Sequence, residues 1–108
     1  MDDDKYSLAF QLILNAGNSK SASKMAIESA KKFEFEQAEK YLEEAERELK
    51  IAHKSQVDMI QREAQGHMIE VNIVLVHAQD HLTMAMIEKD HAKEILDIYK
   101  IIKPILHR

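Results

Sequence analysis

The chain has 108 residues, 45% hydrophobic and 31% charged, with a formal charge of −4, which is the balance of one globular domain and far from that of a disordered chain. Its lysines are scattered among glutamates instead of forming a basic stripe with interleaved aromatics, which argues against a nucleic-acid partner. There is no cysteine, so disulfides, thiol nucleophiles and thiolate metal sites are excluded, and a reducing cytoplasm fits.

Two glycines and one proline in the whole chain leave little material for tight turns and point to long helices. The opening Met1-Asp2-Asp3-Asp4-Lys5 lacks the basic start and apolar run of a secretory signal. The longest apolar stretch, Val71 to Val76, is interrupted by Asn72 and falls far short of the roughly 20 residues that span a membrane. A cytoplasmic protein is expected.

The first helix is expected over residues 6–32, with Phe10, Ile13 and Leu14 at helical spacing and an unusually small-sided middle of Ala16, Gly17, Ser19, Ser21, Ala22 and Ser23. A glycine inside a helix costs about 1 kcal/mol relative to alanine, and close approach of another helix is the expected reason for Gly17. The second helix, residues 36–64, has the clearest periodicity. Ala38, Leu42, Ala45, Leu49 and Ala52 form a seam that Gln56, Met59 and Glu63 continue. Glu39, Glu43, Glu44, Glu46, Arg47, Glu48 and Lys50 cover the other faces, and Glu43 with Arg47 and Glu46 with Lys50 stand four apart in the favourable order. This charge run reads as a solvated face.

Gln65-Gly66-His67 breaks the pattern, with Gly66 where a helix end takes a left-handed residue. The third helix is expected over residues 70–103, stopping at Pro104. Helices of this length reach roughly 40 to 50 Å, and the short joints near Phe33 and Gly66 make neighbours antiparallel. The chain reads as all-α, a single-domain up-down-up three-helix bundle.

Helix three is apolar on two faces. One stripe is Val71, Leu75, Ala78, Leu82, Ala85, Ala92, Leu96 and Tyr99; the other is Ile73, His77, Met84, Ile87, Ile95, Ile98 and Ile102. The first can pack on the other two helices. The second is left without a partner in one chain, which predicts self-association through helix three, with cyclic symmetry the common solution. Met84 and Met86 read as packing residues that also suit transient docking.

His77, Asp80 and His81 interrupt this pattern at spacings of three and four, one turn apart on neighbouring surface. Polar groups beside aliphatic ones cost free energy unless paired, hydrated or bound, and such violations tend to mark sites. Three readings stand on the residues alone. His77 is a nucleophile whose neutral ring nitrogen is available near pH 7, with His81 supporting it. Or His77 and His81 are metal ligands, although no Glu follows His77 as in the zinc hydrolase motif, and further ligands must come from residues such as His91 or His53. Or they are tolerated polar residues at a bundle interface.

The stretch Val74-Leu75-Val76-His77-Ala78-Gln79-Asp80-His81-Leu82 resembles the phosphorylation segment of enzyme IIA of the lactose/cellobiose (chitobiose) class of the bacterial sugar phosphotransferase system. Phe10-Gln11-Leu12-Ile13-Leu14-Asn15-Ala16-Gly17-Asn18, Ala52-His53-Lys54-Ser55-Gln56 and Glu63-Ala64-Gln65-Gly66 are similar to the family in the same order and spacing. The resemblance implies that His77 accepts a phosphoryl group from HPr and passes it to a cysteine of the cognate enzyme IIB, for uptake of a β-linked disaccharide through the membrane enzyme IIC. It implies a homotrimer, in which Asp80 meets its symmetry mates at the axis and binds a metal ion. Clustered carboxylates repel unless protons or a cation compensate, and oxygen ligands favour a hard divalent ion such as Mg2+. His81 and Gln79 match residues near the phosphoryl site and take supporting roles. His53, His67, His91 and His107 are read as non-catalytic. Two departures concern docking and the sugar pathway: Asn15 stands where many relatives carry histidine, and Leu82-Thr83-Met84-Ala85 differs from the more usual order.

Overall fold

A computed structural model describes the backbone of residues 3–106 and the side chains of residues 6–106. Three helices carry almost all of it: α1, Asp3–Lys31; α2, Phe35–Ala64; and α3, Ile73–Leu106. Among the described residues there is no strand, and no helix is long and apolar enough to cross a membrane. The expected all-α three-helix architecture is the one observed.

Both helix ends at the joints close by the same geometry. After α2, the Gly66 N–H donates to the Glu63 carbonyl at 3.0 Å and the His67 N–H to the Arg62 carbonyl at 2.9 Å, with Gly66 left-handed at φ 92°. This is the paired-bond cap that satisfies orphan carbonyls. After α1, Phe33 donates to Ala30 and Glu34 to Ser29, both at 2.9 Å. Here the left-handed residue is Phe33 itself, at φ 60°, a conformation that carries strain for a residue with a Cβ. Its ring is held in return, edge-on to Phe35 at 6.0 Å and Tyr99 at 6.4 Å, with the Lys103 ammonium 5.9 Å over it.

α3 begins at Ile73, three residues later than its periodicity suggests, because Asn72 caps it. The Asn72 side-chain oxygen accepts from the Leu75 N–H at 2.9 Å, and its carbonyl from Val76 at 3.0 Å. Its other end overrides the expected stop, since Pro104 lies inside the helix. The bond proline forfeits is among the last in α3, so few turns depend on it.

Interhelix bonds show the alternating directions. The Ser19 hydroxyl donates to the Ala45 carbonyl at 2.9 Å and Asn15 Nδ2 to Glu48 at 2.9 Å, so α2 rises as α1 falls. Gln56 meets Gln79, while Glu39 meets Lys100 and Glu46 meets Lys89, the same relation between α2 and α3. The particle is a rod of 62 × 25 × 19 Å.

The core departs from the sequence reading on α1. Its inner seam is Ala9, Leu12, Ala16, Ser19, Ser23, Ala26 and Ala30, all buried, while Phe10 and Leu14 face outward and Ile13 is half-buried. α1 packs on both other helices at once, and small residues let two backbones come near it. The close approach expected at Gly17 does not occur within the chain, where a Cβ would meet nothing within 4 Å. On α2, Ala38, Ala45, Leu49, Ala52 and Met59 are buried as expected, and Leu42 and Gln56 half-buried; only Glu63 leaves the seam. The charged face is less solvated than its composition suggests. Glu46 pairs with Lys89 at 2.9 Å, not with Lys50, and Glu48 accepts from Asn15 and Asn18 at 2.9 and 3.0 Å.

Candidate functional site

α3 presents two unlike faces. Ala78, Leu82, Ala85, Ala92 and Leu96 are buried against α1 and α2. The second stripe is largely without cover in the chain: Ile73, Met84, Ile87 and Ile98 are exposed, joined by Val76, Ile101 and Ile105, while Ile95 and Ile102 are half-buried. Met84 and Met86, expected to pack, both lie exposed.

At the edge of that uncovered face stand His77 and His81. Their Nε2 atoms are 3.0 Å apart, and their rings meet edge-on with centroids 4.5 Å apart. One Nε2 donates and the other accepts. His77 is exposed and His81 half-buried, with its Nδ1 buried and unpartnered among the described residues. Burial first, then the charges of Lys20 and His77, push His81 below its usual pKa of 6.5, against a pull upward from Asp80. His81 is therefore neutral at pH 7. An orphaned buried N–H is the rarer defect, so its proton belongs on Nε2, where it donates to an unprotonated Nε2 of His77.

The other expected site residues divide. Asp80 lies exposed one turn from His77, on the same side as Ile73, Met84 and Ile87 by helical spacing. Among the described residues no three His, Cys, Asp or Glu side chains are grouped to hold a metal ion, so one chain offers Asp80 as a single carboxylate. Gln79 is not brought to His77. Two positions along a helix point to nearly opposite sides, and its Oε1 accepts instead from Gln56 Nε2 of α2 at 2.5 Å.

The other described histidines lie apart from the pair. His53 lines a groove between α2 and α3 with Glu46, Leu49 and Lys89, and His67 is exposed in the α2–α3 connection. His91 is exposed at a cleft between α1 and α3, and His107 lies outside the described residues. The sequence reading missed Lys20 of α1, which no local pattern distinguishes from other lysines. Asn15, the departure from the resemblance, is buried and satisfied, accepting from Gln11 at 2.7 Å and donating to Glu48.

An exposed histidine whose free nitrogen faces a second, neutral histidine is the equipment of a group-transfer protein more than of a closed catalytic pocket. The sequence model of the family described as PTS system, lactose/cellobiose-specific IIA subunit matches residues 7–100. The chain is 43% identical over 102 residues to the lichenan-specific phosphotransferase enzyme IIA component of Bacillus subtilis, covering 94% of this chain and 93% of that one. Its fold matches the crystal structure of the cellobiose-specific enzyme IIA of Bacillus anthracis with a TM-score of 0.92 at 36% identity, over 96% of this chain and 95% of that one. It also matches a solution structure of the chitobiose IIA–HPr complex of Escherichia coli with a TM-score of 0.80 at 28% identity, over 92% and 96%. The chain belongs to the lactose/cellobiose-specific IIA family of the sugar phosphotransferase system. It is a sugar-specific IIA component of that system and, as such, a phosphotransferase component.

Proposed function

We propose that the chain is a phosphoryl relay in which His77 accepts a phosphoryl group from HPr and delivers it to a cysteine of the cognate enzyme IIB, serving uptake of a β-linked disaccharide of the lactose, cellobiose or chitobiose class through the membrane enzyme IIC. The observation that carries it is the exposed His77 with its Nε2 facing His81 Nε2 at 3.0 Å. A relay histidine must be reached by two partners in turn, and an exposed one at the edge of an apolar face meets that need. The HPr complex of the chitobiose relative supports the choice of donor. A cytoplasmic location belongs to the same reading, because donor and acceptor proteins must both reach His77.

In this reading the lone pair of His77 Nε2 attacks the phosphorus of phospho-HPr. The P–N bond to the donor imidazole breaks in line, and its electron pair returns to the donor ring. His81 loses its acceptor as His77 Nε2 is phosphorylated, and its Nε2–H is then free to donate to a phosphoryl oxygen. A thiolate of enzyme IIB next attacks the phosphorus, and the leaving electron pair restores the lone pair of His77. Gln79 acts at a distance, fixing α3 on α2 through Gln56.

The uncovered face of α3 is proposed to close on itself as a homotrimer. Three chains around an axis on that face would bring three Asp80 carboxylates together, a hard oxygen donor set that suits Mg2+. The ion would offset carboxylate repulsion and fasten the assembly; the transfer itself runs on His77 and His81.

The test is direct. Incubated with phosphoenolpyruvate, enzyme I and HPr, the protein gains one acid-labile phosphate by mass spectrometry, and His77→Gln abolishes it. Label that persists in His77→Gln sinks the assignment. Stoichiometric metal without any label would favour a metal-binding bundle instead, and the absence of both would leave an oligomerisation module.

A further inference from the structure

The cleft between α1 and α3 holds a buried hydroxyl with no partner. Ser19 and Ser23 follow one another by one turn on the inner seam of α1. The Ser19 hydroxyl donates to the Ala45 carbonyl of α2 at 2.9 Å. Ser23 is 1% exposed, and its Oγ has no hydrogen-bond partner among the described residues, not even the carbonyl one turn earlier that helical serines can use. An orphaned buried hydroxyl costs free energy, and native proteins rarely carry one without a reason. Ser23 lines a cleft of about 500 Å³, the size of a small-molecule site. Lys20, Lys24 and Ile27 of α1 form one wall, and Glu88, His91 and Ile95 of α3 form the other. Among the described residues neither lysine has a carboxylate within ion-pairing distance, although Lys20 is half-buried. A charge so placed normally has a partner.

We infer that this cleft binds a small phosphate monoester with a hydroxylated body, a sugar phosphate in kind, at a site separate from His77. Two ammonium groups one turn apart, with the Ser23 hydroxyl on their buried side, supply charged and neutral donors to a phosphate dianion. Glu88 is out of place beside a bare anion, which it would repel. It suits a ligand that carries hydroxyls next to its phosphate, because a carboxylate accepts from them. Ile27 and Ile95, both half-buried, offer apolar walls to the C–H face of such a body. His91 stands at the rim, four positions from Ile87 on the face proposed to trimerise, whereas Glu88 and Ile95 lie on the α1 side of α3. The mouth therefore runs along the edge of that face. His91 is 14 positions beyond His77, about 21 Å along α3, so a ligand here leaves the histidine pair free.

The experiment titrates wild type, Ser23→Ala, Lys24→Gln, Glu88→Gln and the double variant Lys20→Gln with Lys24→Gln. The probes are glucose 6-phosphate, inorganic phosphate and glucose, with affinity read by calorimetry and location by backbone amide NMR. The expected result is saturable binding of the ester that moves amides of residues 20–27 and 88–95 and spares 77–81. Affinity should fall about tenfold in Lys24→Gln and about a hundredfold in the double variant, one power of ten for each charge-assisted contact. Ser23→Ala should bind about threefold to tenfold more weakly, yet melt at or above wild type without ligand, because its hydroxyl has no partner to lose. Free phosphate should bind more weakly than the ester, glucose should not bind, and Glu88→Gln should narrow the gap between ester and free phosphate. Amide shifts centred on residues 77–81, affinities unchanged by the lysine and serine substitutions, free phosphate binding as tightly as the ester, or no saturable binding at all would each overturn the inference. None of these measurements involves phosphoryl transfer, so the relay through His77 stands or falls separately.

Discussion

Two lysines placed on the uncovered face of α3 should separate the subunits without unfolding them. Ile87 and Ile98 keep 49% and 51% of their surface exposed in the single chain. Full burial of such a side chain is worth about 1.5–3 kcal/mol, so covering the exposed half contributes about 1 kcal/mol each. Ile87→Lys with Ile98→Lys therefore forfeits roughly 2 kcal/mol per chain and 6 kcal/mol per trimer on the same scale, before any cost of crowding six ammonium groups near one axis. That is about four powers of ten in the trimer dissociation constant. Because this constant scales with the square of protein concentration, the midpoint of dissociation moves by roughly a hundredfold. Sedimentation velocity from micromolar to several hundred micromolar reads this out. Wild type should sediment at three times the 12.5 kDa of one chain, and the double variant at the monomer mass with its helical circular dichroism kept. A wild type that sediments as a monomer throughout, or a double variant that trimerises alongside it, refutes the reasoning.

Glu48→Ala strips the buried Asn15 amide of its acceptor, which should cost about 1–3 kcal/mol and lower the thermal midpoint by about 4–8 °C per kcal/mol; a melt equal to wild type would show that the network carries no net stability. Phe33→Gly relieves a left-handed residue worth about 1–2 kcal/mol but removes the ring from Phe35, Tyr99 and Lys103. The packing loss should win, with a net destabilisation of about 1–2 kcal/mol in urea unfolding; a stabilised variant would show that strain dominates that joint. His81 titrates below its usual 6.5 in the folded chain, so as pH falls through 6.5 the unfolded chain binds a proton that the folded one refuses, and stability drops. Between pH 7.5 and 5.5 wild type should therefore lose more stability than His81→Gln; parallel losses would contradict the depressed value.

Much of the fold was legible in the residues because helices write their own period. The seam of α2 appears in the structure almost as spaced, and the two apolar stripes of α3 separate into a largely buried and a largely exposed one, with Val71 exposed ahead of the helix and Ile95 and Ile102 half-buried. Gly66 was readable as a cap because a left-handed turn favours glycine. The equivalent turn at Phe33 was not, since its strain is carried by rings contributed from α2 and α3. α1 misled for a related reason. Phe10 and Leu14 are its largest early apolar residues, yet small residues face inward because two helices compete for the same side of α1. At the site, spacing brought His77 to His81 and Asp80 correctly, as neighbours one turn apart must be. Gln79 followed the same rule to the opposite side, against Gln56.

The sequence alone put the candidate chemistry on the third helix. A helical period placed the histidine pair and the carboxylate on neighbouring surface, whatever the rest of the chain did. Only tertiary structure decided what surrounds them. Lys20 and His81 are 61 positions apart in the chain, and the charge of one is felt by the other because α1 and α3 pack side by side in the same direction. That packing buries the far nitrogen of His81 and lowers its proton affinity. No local pattern encodes such an arrangement, since it depends on how two helices meet and not on the period of either.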